Sequence, residues 1–229
     1  MTRRIFDILA LAGFAVIFAA IVFGYDERQT LSPLAQHYLT AVPGDLGAPN
    51  VVSGILITYR GFDTLGEVAV LFMVAAGVGI LLSGKQSADV AAQAAPPPPS
   101  ELVVNGARIV LPLIFVFGAY VIMNGHLSAG GGFQGGAVVA SGVMLLMLAH
   151  PGSRIDQGFL SVTESLAGVA YVATGIAGLV FAGGFLDSHI LPRGEFGTLV
   201  SAGAIPVISA LLGIKVGAEL SVVIDRFRG

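Results

Sequence analysis

Six apolar segments, most of them about as long as a membrane-spanning helix, dominate this sequence of 229 residues. A bilayer core about 30 Å thick requires about 20 helical residues. The segments lie at residues 5–25, 50–84, 108–125, 133–150, 158–186 and 197–223. Because 55% of the residues are hydrophobic and only 11% are charged, the composition is that of an integral membrane protein. The pattern predicts an all-α membrane protein with about six transmembrane helices.

The second apolar segment is too long for a single span. Its 35 residues, 50–84, would form a helix about 52 Å long at about 1.5 Å per residue. Gly61 follows Arg60 inside the segment and is a natural break. We therefore expect a short helix over residues 50–60, followed by a full span over residues 62–84. The sequence leaves open whether the short helix lies at the membrane interface or re-enters the membrane.

The first apolar run, from Ile5 to Tyr25, follows the residues MTRR. It is too long for the apolar core of a signal peptide, and no clear small-residue cleavage site follows it. We interpret it as a retained first span. The polar stretch at residues 26–49 is then a loop, with an amphipathic helix expected around residues 33–41.

A proline tract divides the chain into two predicted domains. Four consecutive prolines in the sequence AAPPPPS cannot continue a helix and favour an extended conformation. We expect a two-span domain at residues 1–84, a Pro-rich linker at residues 85–107 and a four-span domain at residues 108–229.

The distribution of Lys and Arg predicts the orientation in the membrane, because cytoplasmic loops carry an excess of these residues. With both termini in the cytoplasm, only Arg28 and Arg193 fall in external loops. The basic residues on or beside the cytoplasmic side are then Arg3, Arg4, Lys85, Arg108, Arg154, Arg226 and Arg228.

Composition also excludes several classes of site. The chain contains no cysteine, so it has no disulfide, no thiolate-bound iron–sulfur cluster and no Cys-ligated zinc. The net charge is −3 and the sequence has no basic block, which argues against nucleic-acid binding. No pattern indicates a catalytic centre or a metal site in this chain.

Three charged residues interrupt the second segment in the sequence ITYRGFDTLGEVAVLF. Arg60, Asp63 and Glu67 are spaced by three and then four positions, so a helix places them on one face. A charged stripe facing lipid is costly, which indicates a face towards another protein or a water-filled path. The carboxylates are candidates for binding a proton or a sodium ion. The alternative interpretation is that they are hydrated at the membrane interface.

The last segment contains a second pair, Lys215 and Glu219, four residues apart in GIKVGAELS. One interpretation is that the Lys215 stem extends along the helix and carries its ammonium group to the lipid headgroups. The other is a polar pair between helices of the kind found in proton relays, because protonation of one partner shifts the other.

Small residues form a separate face of the same segment. They recur at every fourth position and predict close packing against a neighbouring helix. They are Ser209, Gly213, Gly217 and Ser221.

Three further polar residues are secondary candidates for the ion path. Glu164 lies near the start of the fifth segment; it is either buried or a hydrated carboxylate in the first helical turn, and we favour the hydrated carboxylate. His126 and Gln134 lie in the glycine-rich sequence GHLSAGGGFQGG. This sequence lacks the strand and the Lys of a nucleotide-binding loop, and its glycines favour a tight turn. For His126 we favour a structural hydrogen bond over ion transfer.

Long stretches of the chain resemble components of one family of membrane complexes. The sequence PNVVSGILITYRGFDTLGEVAVL, at residues 49–71, resembles the C-terminal part of MrpA in multisubunit cation/proton antiporters and the MbhE component of membrane-bound hydrogenases. The sequence GHLSAGGGFQGGAVVASGVMLLMLA, at residues 125–149, resembles MrpB and its counterpart MbhF. The sequence IPVISALLGIKVGAELS, at residues 205–221, is similar to the hydrogenase version of MrpB.

The resemblance implies a fusion of an MbhE-like and an MbhF-like subunit. Such a chain would be a multi-pass subunit in the cytoplasmic membrane of a prokaryote, in contact with lipid and with other membrane subunits. The family implies Na⁺ and H⁺ as transported ions, no cofactor in this chain, and peripheral iron–sulfur or hydrogenase-like partners if the complex is redox-driven.

The chain departs from the family pattern at two positions. Thr58 stands where the family usually has an acidic residue, and Ala129 stands where a proline usually precedes the glycines. Arg60, Asp63, Glu67, His126 and Gln134 match the pattern. Two alternatives remain open: a purely structural subunit of an antiporter, and a stand-alone transporter, although no paired broken helices mark a repeat-built site.

Overall fold

Each long apolar segment contains a helix of membrane-spanning length in the computed structural model, which describes residues 2–26, 29–89, 99–153 and 155–228. In chain order, the helices are α1 (Thr2–Phe23), α2 (Pro33–Ala41), α3 (Val51–Gly54), α4 (Gly61–Asp89), α5 (Glu101–Met123), α6 (Gly132–Ala149), α7 (Gln157–Phe181) and α8 (Ile205–Arg228). Six of them are long and apolar enough to cross a membrane: α1, α4, α5, α6, α7 and α8. The predicted all-α membrane fold is confirmed.

The long second segment breaks where Gly61 predicts. Residues 51–60 form the short helix α3 and then a π-helical turn, Ile55–Tyr59, which the Arg60 amide closes by donating to the Ile55 carbonyl over 2.8 Å. The hydroxyl of Thr64 donates to the Leu56 carbonyl over 2.6 Å and so satisfies a carbonyl at the π turn. A second π turn, Val42–Leu46, follows α2 directly.

The predicted linker at residues 85–107 overlaps helices at both of its ends. Helix α4 continues to Asp89, and α5 begins at Glu101, where the Ser100 hydroxyl accepts a hydrogen bond from the Val103 amide. Prolines 96–98 lie outside the described residues, as do two of the residues used to predict orientation, Arg28 and Arg154.

The chain divides into two compact units, residues 1–37 and residues 38–229. The first contains α1, whose side chains are exposed along its described length. The second is built around α8, which packs against α4, α5, α6 and α7, while α5 also packs against α6. Its apolar core includes Leu46, Tyr171, Leu186, Ile208 and Leu212.

The helices of the second unit have two distinct ends. Residues 42–60, 124–131 and 182–204 meet at what we call the loop end: the Asn50 amide donates to the His126 carbonyl, and Arg193 donates to the carbonyls of Gly44 and Asp45. The opposite end carries the connection at residues 150–156 and the C-terminus of α8. A 3₁₀ turn, Ser188–Ile190, lies within the last loop-end segment.

Candidate functional site

A buried lysine lies between two carboxylates in the interior of the second unit. The Lys215 Nζ donates to Glu219 Oε2 over 2.7 Å and to Glu164 Oε1 over 3.2 Å. The side chains are 7%, 1% and 15% exposed for Lys215, Glu219 and Glu164, respectively. We call these three residues the charged cluster.

Two helices supply the charged cluster. Lys215 and Glu219 occupy successive turns on one face of α8, and Glu164 comes from α7, which packs against that face. Gly168 of α7 lies beside the Lys215 stem, since a Cβ there would be in ordinary van der Waals contact with the lysine Cε at 3.6 Å. On the α4 side, the ring centroid of Phe72 is 6.0 Å from the ammonium nitrogen.

These positions change two interpretations made from the sequence. Lys215 does not extend towards the lipid headgroups, since its ammonium is paired inside the helix bundle. Glu164 is not a hydrated carboxylate in the first turn of α7: it lies in the second turn, is mostly buried and pairs with Lys215. The reason is tertiary, because α8 covers this face of α7.

The charged cluster has more negative than positive groups. Two carboxylates face one ammonium, and Glu219 Oε1 is buried without a hydrogen-bond partner among the described residues. An unpaired buried carboxylate oxygen is costly. This oxygen is therefore an acceptor that a proton or a water molecule can satisfy.

A polar pocket of about 390 Å³ reaches the charged cluster between α4, α7 and α8. Its polar lining includes Gln157, Ser161, Glu164, Ser165, Glu219 and Arg226. Gln157, at the first turn of α7, donates to Asp225 over 2.5 Å, and Arg226 donates to the Ala75 carbonyl over 3.0 Å. The pocket thus runs from the opposite end of the helices inward to Glu164 and Glu219.

The stripe of Arg60, Asp63 and Glu67 lies elsewhere, on the exposed surface of the chain. Arg60 Nε and Asp63 Oδ2 are 2.5 Å apart, with 61% and 48% of their side chains exposed. Glu67 is also exposed, within electrostatic range of the buried Tyr171 hydroxyl. No described ion pair joins this stripe to the charged cluster.

The face of small residues on α8 lies against α5 and α6. A Cβ at Gly213 would collide with the Ile122 side chain, and Gly217 lies against Val139 and the Gly136 carbonyl. Ser209 contacts Gly132 through its carbonyl, and the Ser221 hydroxyl donates to the Gly217 carbonyl over 2.6 Å. One face of α8 therefore packs closely while another carries charge.

His126 and Gln134 take different positions near the loop end. His126 is fully buried, and its Nε2 lies 3.4 Å from the Thr198 carbonyl oxygen. Burial lowers the pKa of His126 below its usual value, which favours the neutral imidazole. Gln134 is exposed on α6, with its amide oxygen beside Gly131.

Asn50 connects the two halves of the sequence and is absent from the predicted site residues. Its Nδ2 donates to the carbonyls of Gly125 over 2.7 Å and Ser128 over 2.6 Å. Its Oδ1 accepts from the amides of Val52 and Ser53, so it also caps α3. An Asn ahead of a short helix is a detectable capping signal, but its distant partners leave no pattern in the sequence.

A polar group at the loop end also has no sequence signal. His189 contacts Asp187 Oδ1 through Nδ1 at 2.6 Å and the Asp45 carbonyl through Nε2 at 3.2 Å. Tyr59 donates to Asp45 Oδ2 over 3.1 Å, and its pKa is raised to about 12, first by burial and then by this carboxylate. With Arg193, these residues line a pocket of about 480 Å³.

Two protein families match the chain in succession. Residues 2–95 match MbhE, a family of MBH subunits, and residues 102–222 match MnhB, a domain related to the MnhB component of a Na⁺/H⁺ antiporter. A probable K⁺/H⁺ antiporter A/B subunit of Rhizobium meliloti is 29% identical over 92% of this chain. This chain spans 23% of the length of that protein.

Two solved structures share the fold. A chain of the membrane-bound sulfane sulfur reductase, an archaeal respiratory membrane complex, is 37% identical with a TM-score of 0.81, covering 99% of this chain and 98% of that one. A chain of the Mrp complex from Dietzia sp. DQ12-45-1b is 24% identical with a TM-score of 0.78. The match covers all of this chain and 26% of that one.

Proposed function

The chain belongs to the Mrp/MBH family, as a fusion of an MbhE-like and an MnhB-like (MrpB-like) domain, and from this premise we propose that it takes part in cation or proton translocation within a multisubunit membrane module. Its partners are other membrane subunits, as in the multisubunit relatives. It contains no cysteine that could ligate an iron–sulfur cluster.

The observation that carries the proposal is the charged cluster at membrane depth. Lys215, Glu164 and Glu219 lie within helices α7 and α8, both long and apolar enough to cross the bilayer. Ionisable residues in such segments are costly and typically mark ion pathways or proton relays. A purely structural helix pair gains little stability from buried charges.

The test is to remove the central cation and measure transport. In vesicles containing the assembled complex, Lys215→Met should reduce cation-coupled proton movement by about tenfold or more, because the carboxylates lose their shared partner. The control is Arg108→Gln, which removes an exposed cation of α5. Co-purification of the other subunits shows that both variants assemble.

The exposed charged stripe is consistent with a role in ion translocation at the boundary with another subunit. Arg60, Asp63 and Glu67 are unsuited to a lipid-facing surface, and they lie at the start of a span. We place them facing another membrane subunit, where Glu67 would continue the polar path. In the complex, the chain would lie in the cytoplasmic membrane with the loop end external and the opposite end cytoplasmic.

A second candidate function is a structural subunit that positions its neighbours. The close approach of α6 and α8 at their glycines and the hydrogen bonds of Asn50 favour it. The Lys215→Met experiment separates the two functions. Normal transport by an assembled Lys215→Met complex would favour the structural role.

The driving force of the complex is a further part of the proposal. The similarity to a respiratory membrane complex favours a redox-driven pump with peripheral iron–sulfur subunits over a secondary antiporter. Purification in mild detergent, followed by identification of the attached subunits, distinguishes these two assemblies.

A further inference from the structure

We propose that the charged cluster is a binding site for a single proton that excludes sodium, and that water reaches it from the opposite end of the helices through the polar pocket. This inference rests on the proposed role in translocation and names the ion and its entrance. Its parts are Lys215, Glu164, Glu219 and the pocket that ends on them.

The charge balance sets the number of protons. With both carboxylates ionised, the charged cluster carries one excess negative charge in largely apolar surroundings. The Lys215 ammonium pairs with Glu219 and with Glu164. Addition of one proton makes the charged cluster neutral, whereas a second would leave a buried net positive charge, which a low dielectric disfavours.

The proton has a defined acceptor. Glu219 Oε2 is occupied by the Lys215 ammonium, but Oε1 has no hydrogen-bond partner in the described part of the chain. In the loading step, a hydronium ion in the pocket transfers its proton to Oε1 and becomes water. Unloading is the reverse transfer to a water or to an acceptor on a neighbouring subunit. Lys215 keeps its proton throughout.

Sodium does not suit the same position. A hard cation takes about six oxygen ligands, whereas one oxygen of each carboxylate, Glu219 Oε2 and Glu164 Oε1, is already bonded to the Lys215 ammonium. The Lys215 nitrogen already lies 2.7 Å and 3.2 Å from the two carboxylates and would repel a second cation. A proton needs only the one free oxygen.

The pocket provides the entrance. It begins beside Gln157 in the first turn of α7 and reaches Glu164, seven residues further along the helix, a depth of about 10 Å. The charges nearest its mouth, Arg226 and Asp225, are held by hydrogen bonds to the Ala75 carbonyl and Gln157. A second pocket on the loop-end side of Glu164 is lined mainly by apolar groups such as Val169 and Ile176.

Because this chain contains no native cysteine, the labelling of an introduced cysteine can be followed on this chain separately from the other subunits. Ser161→Cys places a thiol in the pocket, and the neighbouring Val162→Cys places one on the exposed apolar face of α7. In the assembled complex, a membrane-impermeant, charged thiol reagent should label Ser161→Cys at least about tenfold faster, because only a hydrated thiol ionises. Equal rates, or an unreactive Ser161→Cys, would overturn the proposed entrance.

Infrared difference spectroscopy tests the proton site itself. The assembled complex should show the carbonyl stretch of a protonated carboxylic acid that is missing from Glu219→Gln and retained in the control Glu101→Gln, an exposed carboxylate of α5. Glu164→Gln serves as the second variant, and it should shift or remove the same band. At fixed pH the band should not respond to added sodium chloride beyond its response to potassium chloride.

The results of the infrared experiment and of the transport assay distinguish a failure of the proton site from a failure of the proposed function. Loss of the band on sodium addition, or a band unchanged in Glu219→Gln and in Glu164→Gln, would overturn the proton site even if the complex transports ions. Conversely, a complex that translocates no ions but retains the sodium-insensitive band would refute the proposed function and leave the proton site intact.

Discussion

At the scale of single residues, burial determines which ionisable groups make the stability of the fold depend on pH. His126 is buried at the loop end, where its Nε2 makes a long hydrogen bond with the Thr198 carbonyl. Burial lowers its pKa, so protonation is easier in the unfolded chain than in the folded one. The stability of the fold should therefore fall as the pH drops below about 6.5.

This gives a prediction on pH dependence. Between about pH 7.5 and about pH 5.5, the thermal unfolding midpoint of the purified complex should decrease, and the decrease should be smaller in His126→Gln. His150→Gln removes an exposed histidine and should keep the wild-type slope. Identical slopes for the wild type and His126→Gln would show that this imidazole is not held neutral by the fold.

The residues of the charged cluster show how far sequence reasoning extends at this scale. Lys215 and Glu219 were predictable as a pair, because a spacing of four places them on one helical face. Glu164 was not, because it lies 51 residues from Lys215 and meets it only through helix packing. Asn50 escaped prediction for the same reason: its acceptors are more than 70 residues away.

At the scale of helices, the contact between α6 and α8 depends on the absence of side chains. A Cβ at Gly136 would lie 2.8 Å from both the Gly213 carbonyl oxygen and the Val216 Cβ. The backbones would have to separate, because atoms of the main chain cannot turn away. Gly77 of α4 offers the contrast, since a Cβ there meets nothing within 4 Å.

We therefore expect a Gly→Ala substitution to have different effects on stability at these two positions. Gly136→Ala should lower the free energy of unfolding by about 1–3 kcal/mol, because it overpacks the contact between the helices. Gly77→Ala should leave stability unchanged or raise it by about 0.5–1 kcal/mol, since alanine favours a helix. Thermal or denaturant unfolding of the detergent-solubilised complex measures both. A stable Gly136→Ala variant would mean that α6 and α8 can move apart freely.

The long helices could be predicted from the length and apolar character of their segments, whereas the two π turns could not. The break at Gly61 was expected, and α4 does begin there. The π turns at residues 42–46 and 55–59 depend on tertiary partners, such as the Thr64 hydroxyl that accommodates the Leu56 carbonyl. The local sequence does not signal a π turn. Such a turn is energetically unfavourable, and the contacts that offset its cost are made by residues elsewhere in the fold.

At the scale of the whole molecule, Asn50 connects the MbhE-like half to the MnhB-like half. Its two hydrogen bonds to the 125–128 loop are supplemented by the Ser53 hydroxyl, which donates to the Gly125 carbonyl over 2.6 Å. Asn50→Ala should destabilise the complex by about 1–3 kcal/mol, since it removes the cap of α3 and two hydrogen bonds to the 125–128 loop.

Limited proteolysis of the complex provides the measurement. Cleavage in the loop at residues 124–131 should become faster in Asn50→Ala and stay at the wild-type rate in Asn105→Ala, which alters an exposed position of α5. Unchanged cleavage rates in both variants would show that the covalent connection between the two halves, and not Asn50, keeps them in position.

Helix α8 is held on several sides, and this limits how the protein can work as a machine. It packs against α4, α5, α6 and α7, and its glycines interlock with α6. We expect a helix confined in this way to stay fixed and to keep Lys215 and Glu219 at one depth in the bilayer. If the charged cluster is the proposed proton site, we expect any change in which side of the membrane it communicates with to come from α4 and α7, whose outer faces are exposed.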